Sequence, residues 1–247
     1  VNLPIRSPFD LLIIALLFVF GGLLTFGFAF GRLTTDRTQR QSRRTQLPQS
    51  IVLVVCALTW WMVATRSTEL ETFSRFVFLG VSLSFVSSAV LAQLILVKRH
   101  FSWSLIASGI SCGFYILALR ELQILFSLDS RNDLIIALVA SWVIIIGIWA
   151  GAIYAPEASA RLNLSSLIYA LALASMAAYA VALTTQKPAL APVAAGASLL
   201  LIADGIKLNH HLHGTHWSHI GDVIWLSYIF GQALLVFSNS TALTLMP

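Results

Sequence analysis

Eight apolar runs, joined by short polar connections, constrain this chain more than any other feature. They extend over Phe9 to Gly31, Ser50 to Thr65, Phe76 to Val97, Phe101 to Leu119, Leu134 to Tyr154, Leu164 to Thr184, Ala189 to Ile206 and Val223 to Met246. A helix needs about 20 apolar residues to cross a hydrocarbon core of ~30 Å. In a bilayer each backbone N–H and C=O must find its partner inside the spanning structure, and uniformly apolar runs do so as helices rather than as alternating barrel strands. The expected fold class is therefore all-α, a polytopic membrane bundle of about eight transmembrane helices forming one integral membrane domain over residues 1–247. A soluble domain is excluded by composition, with 10% charged residues against the roughly 25% usual in soluble proteins. The first run has neither a basic leader nor a small-residue cleavage site, and reads as a retained helix.

The net charge of +5 is concentrated, not spread. "GRLTTDRTQRQSRRTQLPQ" between the first two runs carries Arg32, Arg37, Arg40, Arg43 and Arg44, and nine of the 15 Lys and Arg residues fall in the odd-numbered loops. That placement reads as topogenic, with anionic headgroups rather than nucleic acid as the partner, and the positive-inside rule puts the Arg32 to Arg44 loop in the cytoplasm, both termini outside and the chain in a bacterial-type plasma membrane. Cys56 and Cys112 lie in apolar runs, where a small buried thiol is the ordinary state.

Polar groups inside the runs are the candidate chemistry. An ionisable side chain within a span costs at least a few kcal/mol, so each one is a functional hypothesis. Asp204 follows the uncharged stretch Ala189 to Ala203 and stands over ~20 Å along its helix at about 1.5 Å per residue, nearer one membrane face than the midplane. It is expected to face the bundle interior and to act as a general acid; the structural alternative is an interfacial Asp hydrated beside Lys207. In "YIFGQALL", Tyr228 and Gln232 are four apart and share one helical face, and a mid-span Gln needs a partner. Gly80, Ser84, Ser88 and Ala92 recur every four residues, a pattern that lets helix backbones approach, and Gly109/Gly113 and Gly147/Gly151 repeat it. His210, His211, His213, His216 and His219 crowd the last loop, but no Cys, Asp or Glu lies among them and Gly214 interrupts a continuous helix. They read as an interfacial loop, and neither a metal nor another cofactor is expected.

With these residues in view, the chain resembles the YhhN-like family of membrane proteins, whose members include lysoplasmalogenases. "GASLLLIAD", Gly196 to Asp204, follows the family's Gly-Ala, apolar run and Asp. "YIFGQALL" follows its Tyr-x-x-small-Gln-x-Leu element, and "YALALASMAAYA" from Tyr169 looks like its sixth helix. In the third and fourth helices the family shows Ser-x-x-Gly-Asp-x-x-Leu and then His-x-x-Tyr. Here "SFVSSAVL" and "CGFY" keep Ser84, Leu91 and Tyr115, while Ser87 and Ser88 replace the Gly-Asp pair and Cys112 replaces the His.

The resemblance implies hydrolysis of the vinyl ether bond of a lysoplasmalogen to a fatty aldehyde and a glycerophospho-base. The catalytic set it implies is Asp204, Tyr228, Gln232 and Tyr115, with Ser84, Ser88 and Cys112 against the substrate; apart from the resemblance, Asp222, at the mouth of the last run, is a candidate substitute base for the missing acidic residue. The missing acid also leaves open a non-catalytic relative that binds lipid or packs in a membrane assembly. A polar cavity joining Asp204 to the third helix would favour the hydrolase. The partners expected are a membrane lipid or lysophospholipid, and another membrane protein or a second copy of the chain, with no nucleic acid.

Overall fold

In a computed structural model, which describes residues 8–31, 38–41, 43–95, 97–129 and 131–246, the chain forms eight long helices, and no strand occurs among the described residues. They are α1 (Pro8–Ala29), α2 (Arg43–Thr59), α3 (Glu71–Leu91), α4 (His100–Leu125), α5 (Arg131–Ile148), α6 (Ala160–Gln186), α7 (Ala191–His213) and α8 (Ile220–Thr244). Wider π turns extend α2 over Trp60–Ala64 and α5 over Trp149–Ile153. All eight are long and apolar enough to cross a membrane, as expected of an integral membrane protein. Of the Arg-rich segment, Arg32 and Arg37 lie outside the described residues.

Three helix pairs dominate the packing: α3 with α4, α7 with α8, and α5 with α6, with α4 and α7 both also resting on α6. The most buried helix is α6, whose Ala-rich sequence lets neighbours approach on several sides, whereas α1 and α5 present most of their apolar surface outward. Between α7 and α8 the approach is closest at Gly196 and Gly231: a Cβ built on either would stand 2.9 Å from the other's carbonyl oxygen. Gly80 does the same for α3 and α4, where a Cβ would lie 2.6 Å from the Tyr115 ring. Gly113, Gly147 and Gly151, expected at seams, have nothing within 4 Å of a built Cβ and are exposed on the outside of the bundle.

Helix ends depart from the apolar runs where polar side chains find protein partners. Rather than starting at Ser50, α2 starts at Arg43, because buried Gln49 is satisfied from both sides: its Nε2 donates to the Leu23 carbonyl (3.1 Å) and its Oε1 accepts from Trp225 Nε1 (2.9 Å). Past Leu119, α4 continues to Leu125, with Leu122 buried and Arg120 turned outward to reach water on its long stem. Beyond Ile206, α7 runs to His213 and stops at Gly214, whose φ of 61° is the left-handed helix-ending conformation that glycine adopts without strain.

Short connections make consecutive helices antiparallel, so the C-terminal ends of α1, α3, α5 and α7 and the N-terminal ends of α2, α4, α6 and α8 share one end of the bundle. Asp204, nine residues before the end of α7, is nearer that end.

Candidate active site

Asp204 is 5% exposed and makes two contacts. Tyr169 Oη on α6 donates to its Oδ2 at 2.5 Å, and the Lys207 ammonium, one turn further along α7, pairs with Oδ1. A carboxylate withdrawn from water is costly unless paired and hydrogen-bonded, and both conditions are met from two helices. Both contacts present donors, so in this arrangement the carboxyl group is the acceptor on each oxygen.

Beside Asp204 opens a cavity of about 320 Å³. Its inner wall combines Asp204 and Lys207 from α7, Ser87 and Ser88 from α3, and Tyr228 and Trp225 from α8; Thr38 and Gln39 close part of it from the segment before α2. Ser88 Oγ donates to Tyr228 Oη at 3.3 Å, tying α3 to α8 where both line the cavity. The cavity is small for a whole lipid but lies within the range of sites that hold a head group or a reacting bond.

Deeper in the bundle lies a second polar network. Tyr115 Oη donates to Gln232 Oε1, Gln232 Nε2 donates to Ser84 Oγ at 2.9 Å, Ser84 bonds Ser111 at 2.8 Å, and Ser111 Oγ donates to the Gly80 carbonyl at 2.7 Å. Both ends of the Gln232 amide are thereby satisfied, as a buried amide requires. Alongside, Ser87 bonds Ser104 and Ser108 of α4 at 2.8 and 2.7 Å.

The candidate residues therefore separate by depth. Asp204, Tyr228 and Ser88 line the cavity. Tyr115, Gln232 and Ser84 do not; they stand behind Tyr228 and bond one another. Cys112, expected against the substrate, is 4% exposed within the apolar core and off the cavity wall. The small-residue face of α3 also differs from its expected course. Gly80, Ser84 and Ser87 meet α4, whereas Ser88 turns toward α8, because a strict four-residue spacing drifts around a helix of 3.6 residues per turn.

Asp222 is not placed to act as a base. It is 5% exposed, its Oδ1 and Oδ2 accept from the Arg40 backbone N–H at 2.8 and 3.0 Å, and it also bonds the Gln41 N–H and His219. Its role is to fasten residues 40 and 41 onto the start of α8. In the His-rich segment, His211 stacks on Phe101 with ring centroids 4.8 Å apart. Among the described residues no group of three or more His, Cys, Asp or Glu side chains is arranged to hold a metal ion.

Two groups were missed as site residues. Tyr169 reads as an aromatic in an apolar helix, and nothing in its local pattern points at an aspartate 35 positions away. The α4 serines were legible only as a face: Ser104, Ser108 and Ser111 fall at helical spacing.

The family model described as the YhhN family matches residues 45–239. This chain belongs to the YhhN family. The matched span begins in the first turn of α2 and ends near the end of α8, so Asp204, Tyr228, Ser88 and the deeper network all lie within it. No curated protein and no solved structure matches the chain. Within this YhhN-family chain, Ser88 brings a neutral hydroxyl to the cavity that Asp204 also lines.

Proposed function

We propose that the cavity hydrolyses the vinyl ether of a lysoplasmalogen with one carboxylate used twice. The reaction adds a proton to the alkenyl carbon remote from oxygen, leaving an oxocarbenium ion. Water then adds to the carbon bonded to oxygen and gives up a proton, and the hemiacetal collapses to a fatty aldehyde and the free glycerol hydroxyl. No net proton is consumed. A second acid is therefore dispensable if the group that donates in the first step accepts in the second.

Asp204 fills both roles in turn. Protonated, it donates to the alkenyl carbon; as a carboxylate, it lies beside the cation and takes the proton of the incoming water. Tyr169 and Lys207 hold its carboxylate stage by donating to the two oxygens. Tyr228 and Ser88, across the cavity, orient water. Tyr115, Gln232 and Ser84 are positioning residues that fix α8 against α3 and α4. The single observation that carries the reading is the polar cavity joining Asp204 to α3. On the positive-inside reading, this end of the bundle faces the cytoplasm, and a single-chain lipid enters from that leaflet with its alkenyl chain left among the helices and lipid.

Hydrolysis in deuterated water tests the sequence of steps. The expected product is an aldehyde carrying one deuterium on the carbon next to the carbonyl; an unlabelled aldehyde would rule out protonation at carbon. A non-catalytic lipid-binding relative is the second reading, favoured by the neutral Ser88. Lipid binding with no aldehyde from any lysoplasmalogen would select it.

A further inference from the structure

Outward of Asp204 the cavity changes character. Lys207 and His210 follow at three-residue intervals on the same face of α7, His211 adjoins them, and His100 faces them as the first residue of α4. Among the described residues lining the cavity, Asp204 is the sole carboxylate, and those nearer the mouth are neutral or basic. The imidazoles of His210 and His211 are steered through Nδ1 by backbone carbonyls, His210 by Thr215 (2.7 Å) and His211 by Lys207 (3.1 Å), so Nδ1 carries the proton and Nε2 donates to an oxyanion only in the protonated ring, which leaves Lys207 as the standing donor. The N-terminal ends of α4 and α8, at His100 and Ile220, lie at the same rim and add the positive ends of two helix dipoles.

We propose that this rim is an oxyanion site for the phosphate ester of a single-chain phospholipid, with Lys207 as its principal cation and His100, His210 and His211 around it. The inference rests on reading the cavity as a lipid site. An ammonium has three donors, and Asp204 occupies one of them. The spacing agrees with the substrate class. In a 1-alkenyl glycerophospholipid five bonds separate the ether oxygen from phosphorus, roughly 6 Å at bond lengths of about 1.5 Å. Positions three to six residues beyond Asp204 lie about 4.5 to 9 Å further along α7. A vinyl ether at Asp204 therefore brings its phosphate to the level of Lys207 and His210.

The test is calorimetric binding to the full chain in nanodiscs, using a saturated alkyl-ether lysophospholipid, which cannot be hydrolysed, and the 1-O-alkylglycerol of the same chain length. The expected result is at least tenfold tighter binding of the phospholipid. Lys207→Gln should weaken phospholipid binding about 10- to 100-fold, the worth of a hydrogen bond to a charged group, and alkylglycerol binding by less than twofold. Should Lys207→Gln fail to fold, the double variant His210→Gln, His211→Gln is expected to reduce the same discrimination. Displacement of the phospholipid by millimolar inorganic phosphate would assign the oxyanion site to free phosphate as well, and no displacement would assign it to the lipid ester. Equal affinity for the two lipids, or equal weakening of both in a folded variant, would overturn the proposal. Discrimination without aldehyde release would leave the site standing and remove the hydrolase, and aldehyde release without discrimination would do the reverse.

Discussion

Tyr169→Phe isolates the least obvious contact of the site. The substitution removes one hydroxyl and keeps the ring, which is 3% exposed, packed in place. What is lost is the 2.5 Å hydrogen bond to Asp204 Oδ2, leaving Lys207 on Oδ1 as the remaining donor. A hydrogen bond to a charged group is worth about 1.5–3 kcal/mol. If it stabilises the carboxylate that forms on proton transfer, the barrier rises by that amount, and at roughly 1.4 kcal/mol per decade kcat falls about 10- to 150-fold. The folded state loses the same contact, so the melting temperature in detergent should fall too, which is why activity must be read well below the transition on protein shown to be monodisperse. The assay is aldehyde release under saturating lysoplasmalogen, which reports kcat rather than affinity. A Tyr169→Phe variant that melts earlier yet turns over within twofold of the parent would show that Tyr169 supports only the fold and would refute its coupling to the carboxylate.

Three further outcomes follow from the same geometry. Gly196→Val would push α7 off α8, since even a Cβ stands 2.9 Å from the Gly231 carbonyl and 3.1 Å from Leu234; overpacking of this kind costs about 1–3 kcal/mol or more, read as a lower melting temperature. Asp222→Ala strips the acceptors from the Arg40 and Gln41 N–H groups and should make residues 38–41 readily cleaved by protease, while aldehyde release per folded molecule stays within about tenfold; a loss as deep as that of Asp204→Asn would return Asp222 to the catalytic set. Ser88→Asp adds a second carboxyl group to the cavity that Asp204 lines and, with Asp204 already serving both proton steps, is expected to leave turnover within about tenfold. A rise of about 10² or more in that variant would show that proton donor and acceptor must be separate groups.

The eight spans and the all-helical class were legible because apolar length is a one-dimensional property. Helix ends were less so. Gln49 looks like loop until Leu23 and Trp225 are brought to it, and Arg120 looks like a terminus until its stem is allowed to reach past the last buried turn. Within the site, Asp204 stood out as a charge in an apolar run. The shared face of Tyr228 and Gln232 was also readable, but not their division of labour: one helical turn of depth puts Tyr228 on the cavity and Gln232 against Tyr115 and Ser84. Asp222 shows the converse. Its position at a helix mouth suggested chemistry, and only the fold brings in the backbone N–H groups, 182 positions distant, that occupy it. Tyr169 could not be found from spacing at all, because the contact joins two helices whose register the sequence does not state.

The most direct measurement is aldehyde release from a lysoplasmalogen by the purified chain in nanodiscs, comparing the parent with Asp204→Asn at matched folded fraction. Asn keeps the shape of Asp204 and can neither donate nor accept the transferred proton, so the single-carboxylate cycle expects measurable turnover in the parent and a fall of at least about 10² to 10⁴ in the variant. Equal release from both proteins would contradict it.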